Sequence, residues 1–273
     1  MRITSENLDL TVQLNDQIAK EVQEHILFIT KRLIKWQSLP IEQQALEILK
    51  EYNLIEIPIP DHNWGGAIRK FPNGRKVPII NTAQPRLYQY FIYWHEIYHL
   101  TEREEFHQHD EEKYDIMTEF NLNERKADYF ASQMIFGYLD LYDYFNSIKE
   151  TDFIVKVAHC MKSFKAPYKA VLIELYQLAQ KNHNSLLQNQ IKLNFDKNWT
   201  MEQWAVIFQH YSLDDSLIRP SFLTNLNPIK ESIEREIRQY PDVELYRDNL
   251  NLILEWEAKY RLIHKELKGR MND

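Results

Sequence analysis

The chain has 273 residues, a formal net charge of −7 at pH 7 and one cysteine, Cys160. This length allows about two domains with a sizeable hydrophobic core. The acidic balance argues against general nucleic-acid binding, for which a basic face is expected. A lone cysteine cannot form an intrachain disulfide, and the first residues lack the basic and then apolar pattern of a signal peptide, so we expect a cytoplasmic protein. No apolar run approaches the roughly 18 residues of a membrane span, so we expect no membrane partner.

The sequence predicts an α+β fold that is mostly helical, because five glycines in the whole chain leave few tight turns. Residues 1–39 form the first predicted region, a long amphipathic helix over 5–37 that ends before Pro40. Its apolar face consists of Leu14, Ile18, Val22, Ile26, Ile29, Leu33 and Trp36.

Residues 40–148 are the predicted catalytic region, with a helix, a small antiparallel or mixed sheet and two further helices. Asn73-Gly74 predicts a hairpin turn between two strands. Pro78 lies in the second strand and cannot donate to a ladder, so we expect that strand at a sheet edge, where an extended peptide could add by backbone pairing. Gly65-Gly66 indicate either close approach of such a peptide or a turn or bulge that needs positive φ.

The most informative motif is His95-Glu96-Ile97-Tyr98-His99, an H-E-x-x-H sequence in a run without glycine or proline that is typical of a buried helix. Histidines four residues apart lie above one another on a helix, so both imidazoles can bind one metal ion. Glu96 follows the first ligand, where it can act as the general base toward a water. The spacing therefore predicts a zinc site.

A second predicted helix, around residues 123–135, offers the remaining groups of such a site. Glu124 can complete a His-His-Glu ligand set that leaves a fourth position open. Asp128, one turn later on the same face, can accept the free ring N–H of a ligand histidine and fix its orientation.

Rival third ligands lie in the segment between the two helices, although a charged, solvated loop is its simplest interpretation. The metzincin pattern would need glycine at 102 and histidine at 105, where this chain has glutamates. The rival groups are Glu102, Glu104, Glu105, His107, His109, Asp110, Glu111, Glu112, Asp115 and Glu119.

Two regions follow the catalytic one. Residues 149–184 predict two short apolar helices separated by Phe164-Lys165-Ala166-Pro167, with Cys160 as a buried structural thiol. Residues 185–273 predict further helices of unknown role. Core packing is the default interpretation of the apolar stripe on the last helix, and partner binding is the alternative. This stripe consists of Leu245, Leu252, Trp256, Tyr260, Ile263 and Leu267.

The stretch from Ile41 to Ile135 resembles the catalytic core of the ImmA/IrrE metallopeptidases. The resemblance is carried by IEQQALEILKEYN, LIEIPI, the Trp-Gly-Gly at 64–66, KVPIINT, FIYWHEIYH and ERKADYFASQMIF. The chain departs from the family pattern at Trp94 and Tyr98, where the family favours a small residue and glycine. It departs also at Asp128, where asparagine is more usual, and in Met-Ile-Phe-Gly at 134–137 in place of Leu-Leu-Met-Pro.

This resemblance implies a zincin-like fold of the gluzincin type with one Zn²⁺ held by His95, His99 and Glu124, and Glu96 as the base. It implies limited proteolysis of a DNA-binding repressor, often encoded beside the protease on a mobile genetic element. Residues 149–184 would be the helix-turn-helix-like module that follows the protease core. The donor that stabilises the oxyanion is left open among Tyr93, Tyr98, Tyr114, Tyr129, His107 and His109.

Two other functions remain open. The chain could be a metal-stabilised regulatory protein that binds a repressor or another partner without efficient peptidase activity, although a purely structural zinc needs no base at Glu96. It could instead bind DNA through residues 149–184. The second helix of that region offers only Lys169 and Lys181 and includes Glu174, so we expect no direct nucleic-acid binding.

Overall fold

The structure is a computed structural model that describes residues 3–61, 63–102, 121–137 and 140–270, the last five of these through their backbone. It is mostly helical with one small mixed sheet, which confirms the predicted α+β class. The helices are α1 (Leu8–Leu33), α2 (Ile41–Glu51), α3 (Arg86–Thr101), α4 (Leu122–Phe136), α5 (Leu141–Ser147), α6 (Phe153–Phe164), α7 (Tyr168–Lys181), α8 (Ser185–Phe195), α9 (Met201–His210), α10 (Asn227–Gln239) and α11 (Glu244–Arg270). The strands are β1 (Ile55–Ile57), β2 (Gly66–Lys70) and β3 (Lys76–Asn81).

The predicted N-terminal helix is present as α1, followed by a 3-10 turn over Ile34–Trp36. Its predicted apolar face is buried from Leu14 to Leu33, and Trp36 packs partly buried against the core. This face lies against α4 and α7. The packing of α1 therefore helps to hold α4 in position.

The sheet has the order β1-β3-β2, so the prediction that the strand containing Pro78 is an edge strand is wrong. β1 runs parallel to β3 and its pairing begins with Ile55 opposite Ile79, one residue after Pro78. On the other side, β3 runs antiparallel to β2, and hydrogen-bonded and non-hydrogen-bonded residue pairs alternate along the two strands. Hydrogen bonds from Asn81 N–H to the Gly65 carbonyl and from Phe71 N–H to the Arg75 carbonyl show which pairs are bonded. Pro78 consequently occupies a non-bonded position opposite β2, where a missing N–H removes no ladder bond.

The predicted hairpin turn is confirmed between β2 and β3. Gly74 has φ of +79°, which a residue without a Cβ adopts at no steric cost, and its N–H donates to the carbonyl of Phe71. The turn leaves β2 at the edge of the sheet. On the other edge strand, β1, Glu56 forms an isolated antiparallel bridge with Asn225. No strand of the described residues covers the outer side of β2.

One hydrophobic core gathers side chains from α1, α3, α4, α6, α7 and α8. The two helices predicted within 149–184 are present as α6 and α7, joined through Lys165 in the left-handed conformation. Cys160 is buried as predicted, and burial raises the pKa of its thiol to about 12. The boundaries predicted at 39, 148 and 184 stay predictions, as does the helix-turn-helix-like assignment.

The last two helices form a hairpin that adds little to this core. α10 has no buried residue, and Ile253 is the buried hydrophobic residue on the described part of α11. Core packing of the stripe on the last helix is therefore wrong for Leu245, Leu252 and Trp256, whose exposed fractions are 62%, 43% and 44%. No helix among the described residues is long and apolar enough to cross a membrane.

Candidate metal centre

Helix α3 places the two motif histidines on one face. It begins after Pro85, has no glycine or proline, and is buried along most of its length. The one-turn spacing brings Nε2 of His95 within 3.2 Å of Nε2 of His99. Both imidazoles therefore point at a common position beside the helix.

Helix α4 brings Glu124 to the same position. Asn121 caps the helix, and its side chain accepts from the backbone N–H of Glu124. The rings of Trp94 and Tyr98 on α3 both contact Phe130 of α4, so these two bulky side chains fill the helix interface. The packing sets Glu124 beside the histidines.

The three predicted ligands form a compact triangle. Glu124 Oε2 lies 3.2 Å from His95 Nε2, and Glu124 Oε1 lies 3.4 Å from His99 Nε2. A tetrahedral site with metal–ligand distances of about 2.0–2.1 Å has edges of about 3.3–3.4 Å between ligand atoms. The His-His-Glu group thus has a donor set and spacing that could hold a metal ion, with three protein ligands among the described residues.

Asp128, predicted to orient a ligand histidine, forms a hydrogen bond with His95. Its Oδ1 lies 2.9 Å from Nδ1 of His95, on the ring nitrogen that faces away from the triangle. A proton on Nδ1 leaves the lone pair of Nε2 for a metal. Arg125, one turn earlier on α4, lies 3.7 Å from the other oxygen of Asp128.

Glu96 is buried and lies outside the ligand triangle but in the same cleft. The cleft has a volume of about 360 Å³ and is lined by β2 on one side and by His95, Glu96, His99 and Glu124 on the other. Burial and the charge of Glu124 raise the pKa of Glu96 to about 7, against the opposing effect of His95. A carboxyl group in this position can both accept and return a proton near neutral pH.

The charge distribution favours a bound cation. Burial opposes a charge on His95, but its hydrogen bonds to Asp128 and Glu124 raise its pKa to about 10. Burial and the charge of His95 lower the pKa of His99 to about 4. The carboxylates therefore favour one positive charge on the histidine pair, and a metal ion could supply that charge instead.

Gly65 and Gly66 serve a purpose that the sequence did not reveal. Neither has positive φ, so the predicted positive-φ turn or bulge is wrong. A Cβ on Gly66 would lie 2.9 Å from Ile92 and 3.0 Å from Oε1 of Glu96, and one on Gly65 would lie 2.9 Å from Ile92. The glycines let β2 approach α3 closely, which places the sheet edge against Glu96.

Most of the rival ligands, from Glu104 to Glu119, lie outside the described residues, together with Tyr114. Glu102 ends α3 and lines the cleft. Among the described candidates for oxyanion stabilisation, the hydroxyl of Tyr93 donates to Glu56, and neither Tyr98 nor Tyr129 lines the cleft. Lys70 on β2 is the one lysine or arginine among the described lining residues, and nothing in the sequence pattern indicated it.

Comparison with models of protein families, with curated proteins and with solved structures gave no match.

Proposed function

We propose that the chain is a zinc-dependent endopeptidase that performs limited proteolysis of a protein substrate. The observation that carries this proposal is the pairing of a His-His-Glu triangle with a buried glutamate that is not a ligand and faces the same cleft. A structural zinc site is closed by four protein ligands and has no use for such a base. An open site beside a base is typical of hydrolytic metalloenzymes.

The residues divide the chemistry among them. His95, His99 and Glu124 would hold a zinc ion, which would supply a Lewis acid and lower the pKa of a nearby water toward about 7. Glu96 accepts the proton as the water attacks a peptide carbonyl, and it returns this proton to the leaving amine. Asp128 keeps the ring of His95 in one orientation throughout.

The sheet edge supports a peptide as the substrate. The alternation of the β2–β3 ladder directs the N–H and C=O groups of Gly66, Ile68 and Lys70 away from β3 and toward the outer side of β2. An extended chain that pairs with this edge runs along the cleft and past Glu96. The sequence analysis expected a peptide to pair with the strand that contains Pro78. We propose that it pairs instead with β2, which lies at the sheet edge beside α3.

The identity of the substrate as a DNA-binding repressor rests on the ImmA/IrrE resemblance alone. The test is incubation of the chain with a helix-turn-helix repressor encoded beside its gene, followed by mass spectrometry of the products. Wild-type protein loaded with zinc should cut the repressor at one site or a few. Glu96→Gln should keep zinc and the melting temperature but lose cleavage, because the amide cannot take the proton. Cleavage by Glu96→Gln at the wild-type rate would refute the proposal.

The exposed stripe on α11 keeps a second function open. Leu245, Leu252 and Trp256 offer apolar surface on a hairpin that adds little to the core, which favours a metal-stabilised regulatory protein that binds a partner without efficient cleavage. In that case, wild type and Glu96→Gln would bind the repressor equally and neither would cut it. DNA binding has less support, since α7 is buried at most positions and cannot enter a groove.

A further inference from the structure

The hairpin of β2 and β3 is basic in a chain that is acidic overall. The whole chain has a formal net charge of −7, whereas residues 66–81 contain no acidic residue and four basic ones, Arg69, Lys70, Arg75 and Lys76. The side chains of Arg69, Lys70 and Arg75 are exposed, and none of the three forms a salt bridge with a described residue. The hairpin therefore presents positive charge beside the sheet edge where a peptide is proposed to bind.

The pleat of β2 directs Lys70 into the cleft and Arg69 away from it. Side chains alternate between the two faces of a strand. The face that carries Gly66 lies against α3, where an added Cβ would meet Ile92 and Glu96. Lys70 is on this face, four residues after Gly66, and lines the cleft, whereas Arg69 is on the opposite face and does not line it.

Lys70 lies at the opposite end of the cleft from the candidate base. Gly66 is beside Glu96. Lys76, the partner of Lys70 across the hairpin, has its Nζ 3.3 Å from two carbonyl oxygens in the last turn of α3. β2 and α3 therefore run side by side in the same direction. A strand rises about 3.3 Å per residue, so the backbone of Lys70 is about 13 Å from that of Gly66.

The carboxylates on the α3 and α4 side of the cleft have other partners. Glu124 lies beside the two histidines of the metal triangle. Glu102 accepts from the side chain of Asn123 at 3.3 Å. Neither forms a salt bridge with Lys70. The ammonium of Lys70 can therefore pair with a carboxylate that a bound chain brings to the cleft.

We propose that Lys70 selects substrates that carry aspartate or glutamate at one fixed distance from the cleaved bond. This inference rests on the proposed peptidase function and on pairing of the substrate with β2. Residues of the substrate opposite Gly66 and Lys70 are four apart and point to the same face. With the cleaved bond beside Glu96, the acidic side chain is about three to five residues from that bond.

The first part of the test is digestion of synthetic peptides of random sequence by the full chain loaded with zinc, followed by mass spectrometry of the products. Wild type should cut with aspartate and glutamate enriched at one position, about three to five residues from the cut. Two peptides are then compared that carry glutamate or glutamine at this position and are otherwise identical.

The peptide pair measures the contribution of the charge. An exposed ion pair is worth about two- to fivefold, so wild type should cleave the glutamate peptide with a kcat/KM higher by this factor, and less so at 1 M salt. Lys70→Glu should reverse the preference, because like charges repel. Arg69→Glu makes the same change of charge on the opposite face of β2 and is the matched control, which should keep the preference.

The outcomes separate this inference from the function on which it rests. No cleavage by wild type above that by Glu96→Gln would refute the proposed peptidase, and the role of Lys70 with it. Cleavage without acidic enrichment, or equal kcat/KM for the two peptides in wild type, would overturn the role of Lys70 and leave the peptidase in place. Equal loss of the preference in Lys70→Glu and Arg69→Glu would overturn it also, since the general charge of the hairpin would then control the choice.

Discussion

Gly66 should be required for the position of the candidate base, and a single added methyl group tests this. In Gly66→Ala, the new Cβ would lie 3.0 Å from Oε1 of Glu96 and 2.9 Å from Ile92, whereas ordinary contact begins at about 3.4 Å. The carboxylate must therefore move by about 0.4 Å or the strand must retreat. Gly65→Ala is the matched control, since its Cβ would meet Ile92 and Tyr88 at 2.9–3.2 Å and these are its nearest neighbours.

The expected size of the effect follows from these distances. Overpacking of this kind costs about 1–3 kcal/mol, so both variants should melt lower than wild type, by about 2–4 °C for each kcal/mol. A displacement of 1 Å at a catalytic group costs about 100-fold in rate, so a shift of 0.4 Å corresponds to about 5- to 10-fold. Gly66→Ala should lose this factor in kcat, and Gly65→Ala should stay within about twofold of wild type.

The assay is cleavage of a fluorogenic peptide that spans the identified cut site, at a temperature where both variants are fully folded by circular dichroism. Zinc content is measured on the same samples and should match wild type in both, because neither glycine contacts a ligand of the triangle among its nearest atoms. Equal kcat losses in the two variants would show that overpacking in general, and not the position of Glu96, controls the rate.

Three further changes test other contacts. Asp128→Ala should weaken zinc affinity by about 10- to 100-fold and Asp128→Asn less, because the amide oxygen still accepts from His95; equal, near-wild-type zinc titrations would remove Asp128 from the site. Burial raises the pKa of Glu174 above its unfolded value, so its ionisation destabilises the fold as pH rises from the unfolded pKa through the folded pKa. Glu174→Gln should therefore raise the melting temperature at pH 8 more than at pH 4, and a difference independent of pH would contradict this. Truncation after residue 226 removes α10 and α11, which contribute few buried side chains. The shortened protein should still bind zinc and unfold cooperatively, but it should lose more activity toward intact repressor than toward a short peptide. Equal losses for the two substrates would argue against docking of the repressor on the hairpin.

The two helices of the candidate metal centre could be predicted because helical geometry converts sequence spacing into position. Residues four apart share a face, so His95 with His99, and Glu124 with Asp128, were paired before any tertiary information. The structure brings all four into one cluster. The pairing between the two helices depends on packing around Phe130, which the sequence indicated only as apolar pattern.

The sheet shows where the same reasoning fails. A proline lacks a backbone N–H donor. Whether the sheet needs that donor depends on which residues of the strand hydrogen-bond to each neighbour and on where the neighbouring strand starts. With β1 pairing from Ile79 onward, Pro78 is tolerated in the central strand. Gly65-Gly66 were visible in the sequence, but the helix that approaches them is 26 residues further along the chain, at Ile92.

Arg125 and its neighbour Lys126 show the same limit for charge. Both belong to a polar run that alone predicts a solvated turn of helix, yet both are buried. Lys126 is paired at 2.7 Å with Glu21 of α1, a contact about a hundred residues distant in sequence. Burial of these cations is decided by tertiary packing, so it could not be foreseen from the sequence.

The most direct test of the metal centre is the zinc content of purified protein, measured by inductively coupled plasma mass spectrometry after dialysis against metal-free buffer. Wild type and Glu96→Gln should each hold about one zinc ion per chain. His95→Ala, His99→Ala and Glu124→Ala should each lose it, because three protein ligands are the minimum for an open site. Undiminished zinc in a folded Glu124→Ala protein would contradict the His-His-Glu assignment and move the third ligand to another residue.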